Sequence, residues 1–145
     1  MDRSTRPTVR AAGPADAPAV AKLLVEFNGE GLPAEALARR MEEVQDLETA
    51  FLGEWSGEAA GLLVLRLTPT LSGVDDWAEI TEMYVRPQFR RKGIGRALME
   101  AALDCGRRRD CREFHLLVDP SNVAAQAFYT ELGFQVDSWE MRRDG

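Results

Sequence analysis

Apolar and polar positions alternate along this chain in two rhythms, and the places where one rhythm yields to the other divide it into ten elements. "TVRAA", from Thr8, predicts a short first strand, which Gly13-Pro14 breaks. Asp16 then caps a helix from about Ala17 to Phe27, with Pro18 tolerated in its first turn. After the loop "NGEGLP", a second helix runs from about Ala34 to Val44 with Leu37, Met41 and Val44 on one face. "TAFLGEW" and "AAGLLVLRL", around a Ser56-Gly57-Glu58 turn, predict a hairpin. "WAEITEMYV" alternates as a strand until Arg86-Pro87 ends it. A glycine-bearing turn opens a third helix with Ile94, Leu98, Ala101, Ala102 and Cys105 as its apolar stripe. "REFHLLV" is a strand, Val123 to about Leu132 a helix ended by Gly133, and "FQVDSWEM" a last strand or two very short ones. The order β-α-α-β-β-β-α-β-α-β predicts one α+β domain with a mixed sheet and helices on its faces.

Composition changes this picture little, but charge changes it more. The 145 residues are 45% hydrophobic and 29% charged, ordinary values for one globular domain. No run approaches the roughly 20 apolar residues that span a bilayer, and the N-terminus lacks the apolar core of a secretory signal. Cys105 and Cys111 form no CxxC pair, and His115 is the only histidine. The expectation is a cytoplasmic protein with reduced thiols and no metal centre. His115 reads as a plain sheet residue. A formal net charge of −6 argues against an extended nucleic-acid surface. Against that background, "RPQFRRKGIGRALM" stands out: Arg86, Arg90, Arg91, Lys92 and Arg96 crowd Gly93-Ile94-Gly95 with no acid among them. Strand, glycine turn and helix N-terminus together make an anion site, sized here for a small polyanion.

A Walker loop needs Gly-Lys followed by Ser or Thr, which Gly93-Ile94 fails, and a dinucleotide fingerprint needs glycine where Leu98 stands. Arg90-x-x-Gly93-x-Gly95 directly after "MYVRP" instead resembles the acetyl-CoA pyrophosphate loop of the GCN5-related N-acetyltransferase (GNAT) superfamily. "LVDPSNVAAQAFYTELGF" resembles that family's other hallmark, with Asn122, Ala125, Phe128, Tyr129 and Leu132-Gly133-Phe134 at the family spacing. The resemblance is dense from about Trp77 to Phe134 and looser from Thr8 to Phe27.

The resemblance implies the GNAT fold: a mixed, mostly antiparallel sheet of six to seven strands with four helices. It implies acetyl-CoA as co-substrate, its pantetheine arm between two splayed strands, "ITEMYV" and "EFHLLV". Met83, Tyr84 and Val85 would flank that arm, with the Met83 N–H donating to the thioester carbonyl. Arg90, Arg91, Lys92, Gly93, Ile94, Gly95 and Arg96 would hold the pyrophosphate, and Asn122 would contact the cofactor or fix the following helix. The implied reaction is acyl transfer to an amine, which must first lose a proton to a general base. Glu79 matches the position of the base in histone-type members and shares the parity of Met83 in a regular strand. A bulge, common in this strand in the family, would promote Glu82 instead. Tyr129 falls where the family places the acid that protonates the departing thiolate.

The family builds its acceptor site largely from the first two helices, and here that region is acidic: Glu26, Glu30, Glu35, Glu42, Glu43, Asp46 and Glu48, with Asp75-Asp76 before the catalytic strand. Such a rim would gather a cationic amine such as a polyamine, an aminoglycoside or a lysine side chain. Few residues follow Gly133, so the closing strands are expected to be short or merged, with a second subunit of a homodimer as one source of the missing acceptor wall. The rival functions are a non-catalytic acyl-CoA-binding or regulatory domain and a toxin that acetylates aminoacyl-tRNA.

Overall fold

The computed structural model describes residues 6–74 and 76–145. Strand β1 (Thr8–Ala11) is followed by a single 3-10 turn at Pro14–Asp16 and by helices α1 (Ala17–Asn28) and α2 (Ala34–Glu43). Next come β2 (Glu48–Trp55), β3 (Glu58–Thr68), β4 (Trp77–Val85), α3 (Ile94–Arg108), β5 (Glu113–Leu116) and α4 (Val123–Glu131). One sheet in the order β1-β2-β3-β4-β5 results, antiparallel except for the parallel β4–β5 pair.

Two expectations are corrected here. Among the described residues the sheet has five strands, not six to seven, and the order ends at α4. "FQVDSWEM" does not form the tenth element: Val136, Trp139 and Met141 are each more than 90% exposed, with no neighbouring strand to satisfy their backbone. Asp16 occupies the N-cap position of α1, but its carboxylate turns backwards. It accepts from the Gly13 N–H at 2.9 Å and from both terminal nitrogens of Arg10 at 2.8 and 2.9 Å. Arg10 in turn reaches Glu54 on β2 at 2.7 Å, so the trio fixes the entry to α1. The Arg10 guanidinium, helped by the Gly13 N–H, holds the Asp16 carboxyl down at about 2.

The sheet is covered on both faces. On one face Ala17, Val20 and Leu23 of α1 and Leu37 of α2 pack on Leu52 and Leu62. On the other, Ile94, Leu98, Met99 and Ala102 of α3 pack on Phe51, Leu63, Leu65, Ala78 and Ile80. Of the stripe read from the sequence, Ile94, Leu98 and Ala102 are fully buried, while Ala101 and Cys105 sit at its edge.

Two strand glycines set how closely α3 lies. Gly53 and Gly61 face each other across β2 and β3. A Cβ on Gly53 would stand 2.7 Å from the Ile94 side chain, and one on Gly61 would stand 2.8 Å from the Tyr84 carbonyl oxygen. The start of α3 is thereby held against the sheet. Gly61→Ala is expected to destabilise the protein by about 1–3 kcal/mol, because the atom in the way is backbone and cannot swing aside. The denaturant midpoint measures this; an unchanged midpoint would show that β3 and β4 part without cost.

Candidate active site

The site is organised by one irregularity in β4. Val64 of β3 pairs with Glu82 and Leu65 with Ile80, so Thr81 is an extra residue, a β-bulge. Val64 and Arg66 share a face of β3, and their partners Glu82 and Glu79 therefore share the corresponding face of β4, that of α1 and α2. Met83 lies on the opposite face, packed with the α3 core. The parity expected for Glu79 with Met83 is thus overturned by the bulge. Glu82 accepts from the Asn28 side chain at the end of α1, at 3.4 Å. Glu79 stands in a charged row across the sheet, Glu48, Arg66, Glu79 and His115 on successive strands. His115 itself is exposed, bonded to Glu113 at 2.9 Å and set against the Trp77 ring at 4.3 Å.

Beyond the bulge, β4 and β5 part. Their pairing ends at Ile80 with Leu116, while β4 continues to Val85. The Arg86 N–H donates to Ala60, and the Tyr84 carbonyl lies beside Gly61, so both turn to β3. Alternation then turns the backbone of Met83 and Val85 towards the open edge. The Val85 carbonyl there accepts from Arg90 Nε at 3.2 Å. Tyr84 is turned away in side chain too: its ring stacks on Phe27, and its hydroxyl donates to Glu26 at 3.3 Å. Burial, then the charge of Glu26, raises the Tyr84 phenol above its ordinary value.

Helix α3 points its N-terminus towards the same end of β4. Arg91 (φ 62) and Gly93 (φ 82) are left-handed and curl the turn back on itself. Ala97 is the first residue whose N–H bonds back, to Gly93 at 3.0 Å, and no side chain caps the helix. The N–H groups of Ile94, Gly95 and Arg96 thus form a donor set at the positive end of a 15-residue helix. A Cβ on Gly95 would lie 3.2 Å from the Phe128 ring and 3.3 Å from Met83 Cε, so Gly95 joins α3, α4 and β4 at one point.

The basic side chains divide. Arg86 is paired with Glu26 at 3.1 Å, on the α1 side. Lys92 sits over the Trp55 ring at 4.9 Å, and Arg96 lies 4.0 Å from Glu131. Arg90, Arg91, Lys92 and Arg96 are exposed around the donor set. Asn122 caps α4 by accepting from the Ala125 N–H at 3.1 Å, which is the helix-fixing half of its expected role. Tyr129 meets Phe128 and Phe134 edge-on at 5.4 and 5.9 Å, and among the described residues its hydroxyl has no hydrogen-bond partner. Burial alone raises its phenol above the ordinary value, so it holds its proton throughout the neutral range.

On the α1–α2 face lies a cavity of about 380 Å³, with Leu24, Met41, Val44 and Val64 among its apolar walls and Thr81 and Glu82 at its β4 end. A smaller hollow of about 140 Å³ lies at the other end of β4, beside Trp77 and Cys111. Burial raises the Cys111 thiol, which does not face the open edge of β4.

The profile of the acetyltransferase (GNAT) family matches residues 17–134. The chain belongs to that family. It is 33% identical over 93 residues to an uncharacterized N-acetyltransferase of Methanocaldococcus jannaschii, covering 63% of this chain and 41% of that protein. It is 36% identical over 104 residues to the mycothiol acetyltransferase of Thermobispora bispora, covering 69% of this chain and 35% of that one. The matches thus span less than half of those relatives' length. Among solved structures, an aminoglycoside N-acetyltransferase in complex with CoA superposes with a TM-score of 0.83 at 21% identity, covering 97% of this chain and 95% of that one. At that identity the likeness is one of fold.

In this GNAT chain the bulge gathers Glu79, Glu82 and Tyr84 on one face, Met83 on the other, and the Met83 and Val85 backbone at the open edge. Sequence reading did not pick out Gly53 and Gly61, which α3 packs against, or Arg40 and Arg66, which also line the larger cavity. The glycines carried a signal, since glycine inside an apolar strand marks a close approach. The arginines carried none, because only the fold brings α2 over β3. Of the acidic rim, Glu26, Glu43 and Glu48 are in ion pairs, Glu30, Glu35 and Glu42 are exposed, and Asp46 and Asp76 border the smaller hollow. Asp75 lies outside the described residues. Among the described residues no three His, Cys, Asp or Glu side chains cluster as a metal site, and no helix is long and apolar enough to cross a membrane.

Proposed function

We propose that this chain is an acetyl-CoA-dependent N-acetyltransferase that acetylates a primary amine by direct attack within a ternary complex. The observation that carries the reading is the junction at the bulge: Glu82 borders a cavity on one face, while the next residue turns its backbone to an open strand edge above an uncapped helix N-terminus. Acetyl-CoA supplies the thioester. The N–H groups of Ile94, Gly95 and Arg96 receive its pyrophosphate, with Arg90, Arg91 and Lys92 adding charge, and Met83 and Val85 offer the strand edge to the pantetheine arm. Glu82 takes the proton of the alkylammonium, whose ordinary pKa is near 10.4, directly or through water. The Met83 N–H stabilises charge developing on the thioester oxygen as the amine nitrogen bonds to the acetyl carbon. Tyr129 donates its proton to the departing sulfur. The names of the relatives, all N-acetyltransferases or acetyltransferases, support the reaction class.

Incubation with acetyl-CoA and a pool of amines, read by mass spectrometry, is expected to give an enzyme-dependent acetylated product. Calorimetry tests the cofactor half separately. Gly95→Ala asks Phe128 and the flexible tip of Met83 to yield a few tenths of an ångström, and CoA affinity should fall only a few-fold. Gly95→Asp adds a negative charge among the phosphate donors and should weaken CoA by more than about 100-fold. Equal affinities for the two variants would remove the helix N-terminus from the cofactor site.

A further inference from the structure

The cavity on the α1–α2 face is lined by charges of both signs, Glu48 and Glu82 with Arg40 and Arg66. We propose that its occupant is an amino-acid-like zwitterion, a short amine with a carboxylate and an apolar side chain. Its carboxylate is received by Arg66 and Arg40 and its amine is presented to Glu82. The inference rests on the assignment of this cavity as the acceptor site.

Placement supports it. Glu82 pairs with Val64, and Arg66 lies two residues further along the same face of β3. Both side chains line the same cavity, one ending in a carboxylate and the other in a guanidinium, so a ligand with an amine and a carboxylate a few bonds apart meets a partner of opposite charge for each. Both arginines have donors to spare. Arg66 sends Nε and one terminal nitrogen to the same Glu48 oxygen, at 3.2 and 3.1 Å, which uses one side of its planar fork. Arg40 meets Glu43 at 3.3 Å in a pair with both side chains more than 60% exposed, a contact readily exchanged for a ligand carboxylate. Leu24, Leu37, Met41 and Val44 line the same cavity and offer apolar surface to a side chain. A polycation would meet two guanidinium groups here. The exposed acids Glu30, Glu35 and Glu42 do not line the cavity, so they bear on approach and not on contact.

Calorimetry on the full chain with L-leucine, L-leucinamide and 3-methylbutylamine separates the charges. Leucine should bind at least about 10-fold more tightly than either, as loss of a charge-assisted hydrogen bond predicts. Arg66→Gln, and independently Arg40→Gln, should bring the ratio of leucine to 3-methylbutylamine affinity towards one. Equal or tighter binding of the amide or the amine overturns the proposal, as does failure of all three to bind. So does an unchanged ratio in both variants. Thiol release from acetyl-CoA is read alongside. No thiol release with leucine or with any amine of the pool would sink the acetyltransferase reading while the binding preference for the zwitterion still stood; amines acetylated without preference for the acid would do the reverse.

Discussion

Glu82→Gln is expected to lower acetyl transfer at neutral pH by about 10²–10⁴-fold, the range of general-base catalysis, with coenzyme A affinity unchanged. Glu79→Gln should cost less than about 10-fold. The difference follows from where each carboxylate stands. Glu82 is immediately before Met83, at the bulge, and borders the cavity. Glu79 stands before the bulge, where β4 is still paired with β5, in the row between Arg66 and His115. Glutamine keeps the shape and can still accept from Asn28, so the fold and the cavity survive while the base is lost. In wild type the rate should rise with pH as the amine deprotonates, and the variant should need a higher pH to reach the same rate. Reversal of the two effects, with Glu79→Gln the more damaged, would return the base to the position that a regular strand favours.

The bulge is also where the residue pattern alone was least legible; the family resemblance raised it as the alternative that favours Glu82, and the pairing of β3 with β4 contains it. Binary pattern placed the helices and the first four strands to within a few residues, because each has one face in a core and the apolar period records that face. β5 came out shorter than "REFHLLV", since its partner departs at Ile80 and a strand without a partner has no ladder to extend. The final strand failed for the same reason: alternation in "FQVDSWEM" describes what a neighbour would bury, and none lies beside it. A one-residue insertion leaves no mark in composition. It only changes which of two glutamates shares a face with what, and that is settled by the pairing of β3. The glycine turn was legible because left-handed residues and a helix start have local causes, whereas Arg40 and Arg66 come to line one cavity only through tertiary packing.

Tyr129→Phe should lower kcat by about 10²-fold, the lower end for a general acid because a thiolate is already a fair leaving group. KM for acetyl-CoA should hold, since an interaction made only in the transition state is what is removed. Packing makes this a clean substitution. The ring of Tyr129 meets Phe128 and Phe134 edge-on, and both contacts persist with phenylalanine. Its hydroxyl has no hydrogen-bond partner among the described residues, so its removal orphans nothing. Stability should stay level or rise slightly, which a denaturant midpoint checks. The pH dependence gives the sharper readout. Burial raises the Tyr129 phenol, so the proton-bearing form persists past the ordinary value of 10.0 and the wild-type rate should show no alkaline fall below that pH from this group. In the variant the same profile should appear scaled down, without a new limb in the neutral range. A Tyr129→Phe enzyme that turns over as fast as wild type would leave the aromatic corner as packing for α4 alone, with the proton reaching the sulfur from solvent along the open edge of β4.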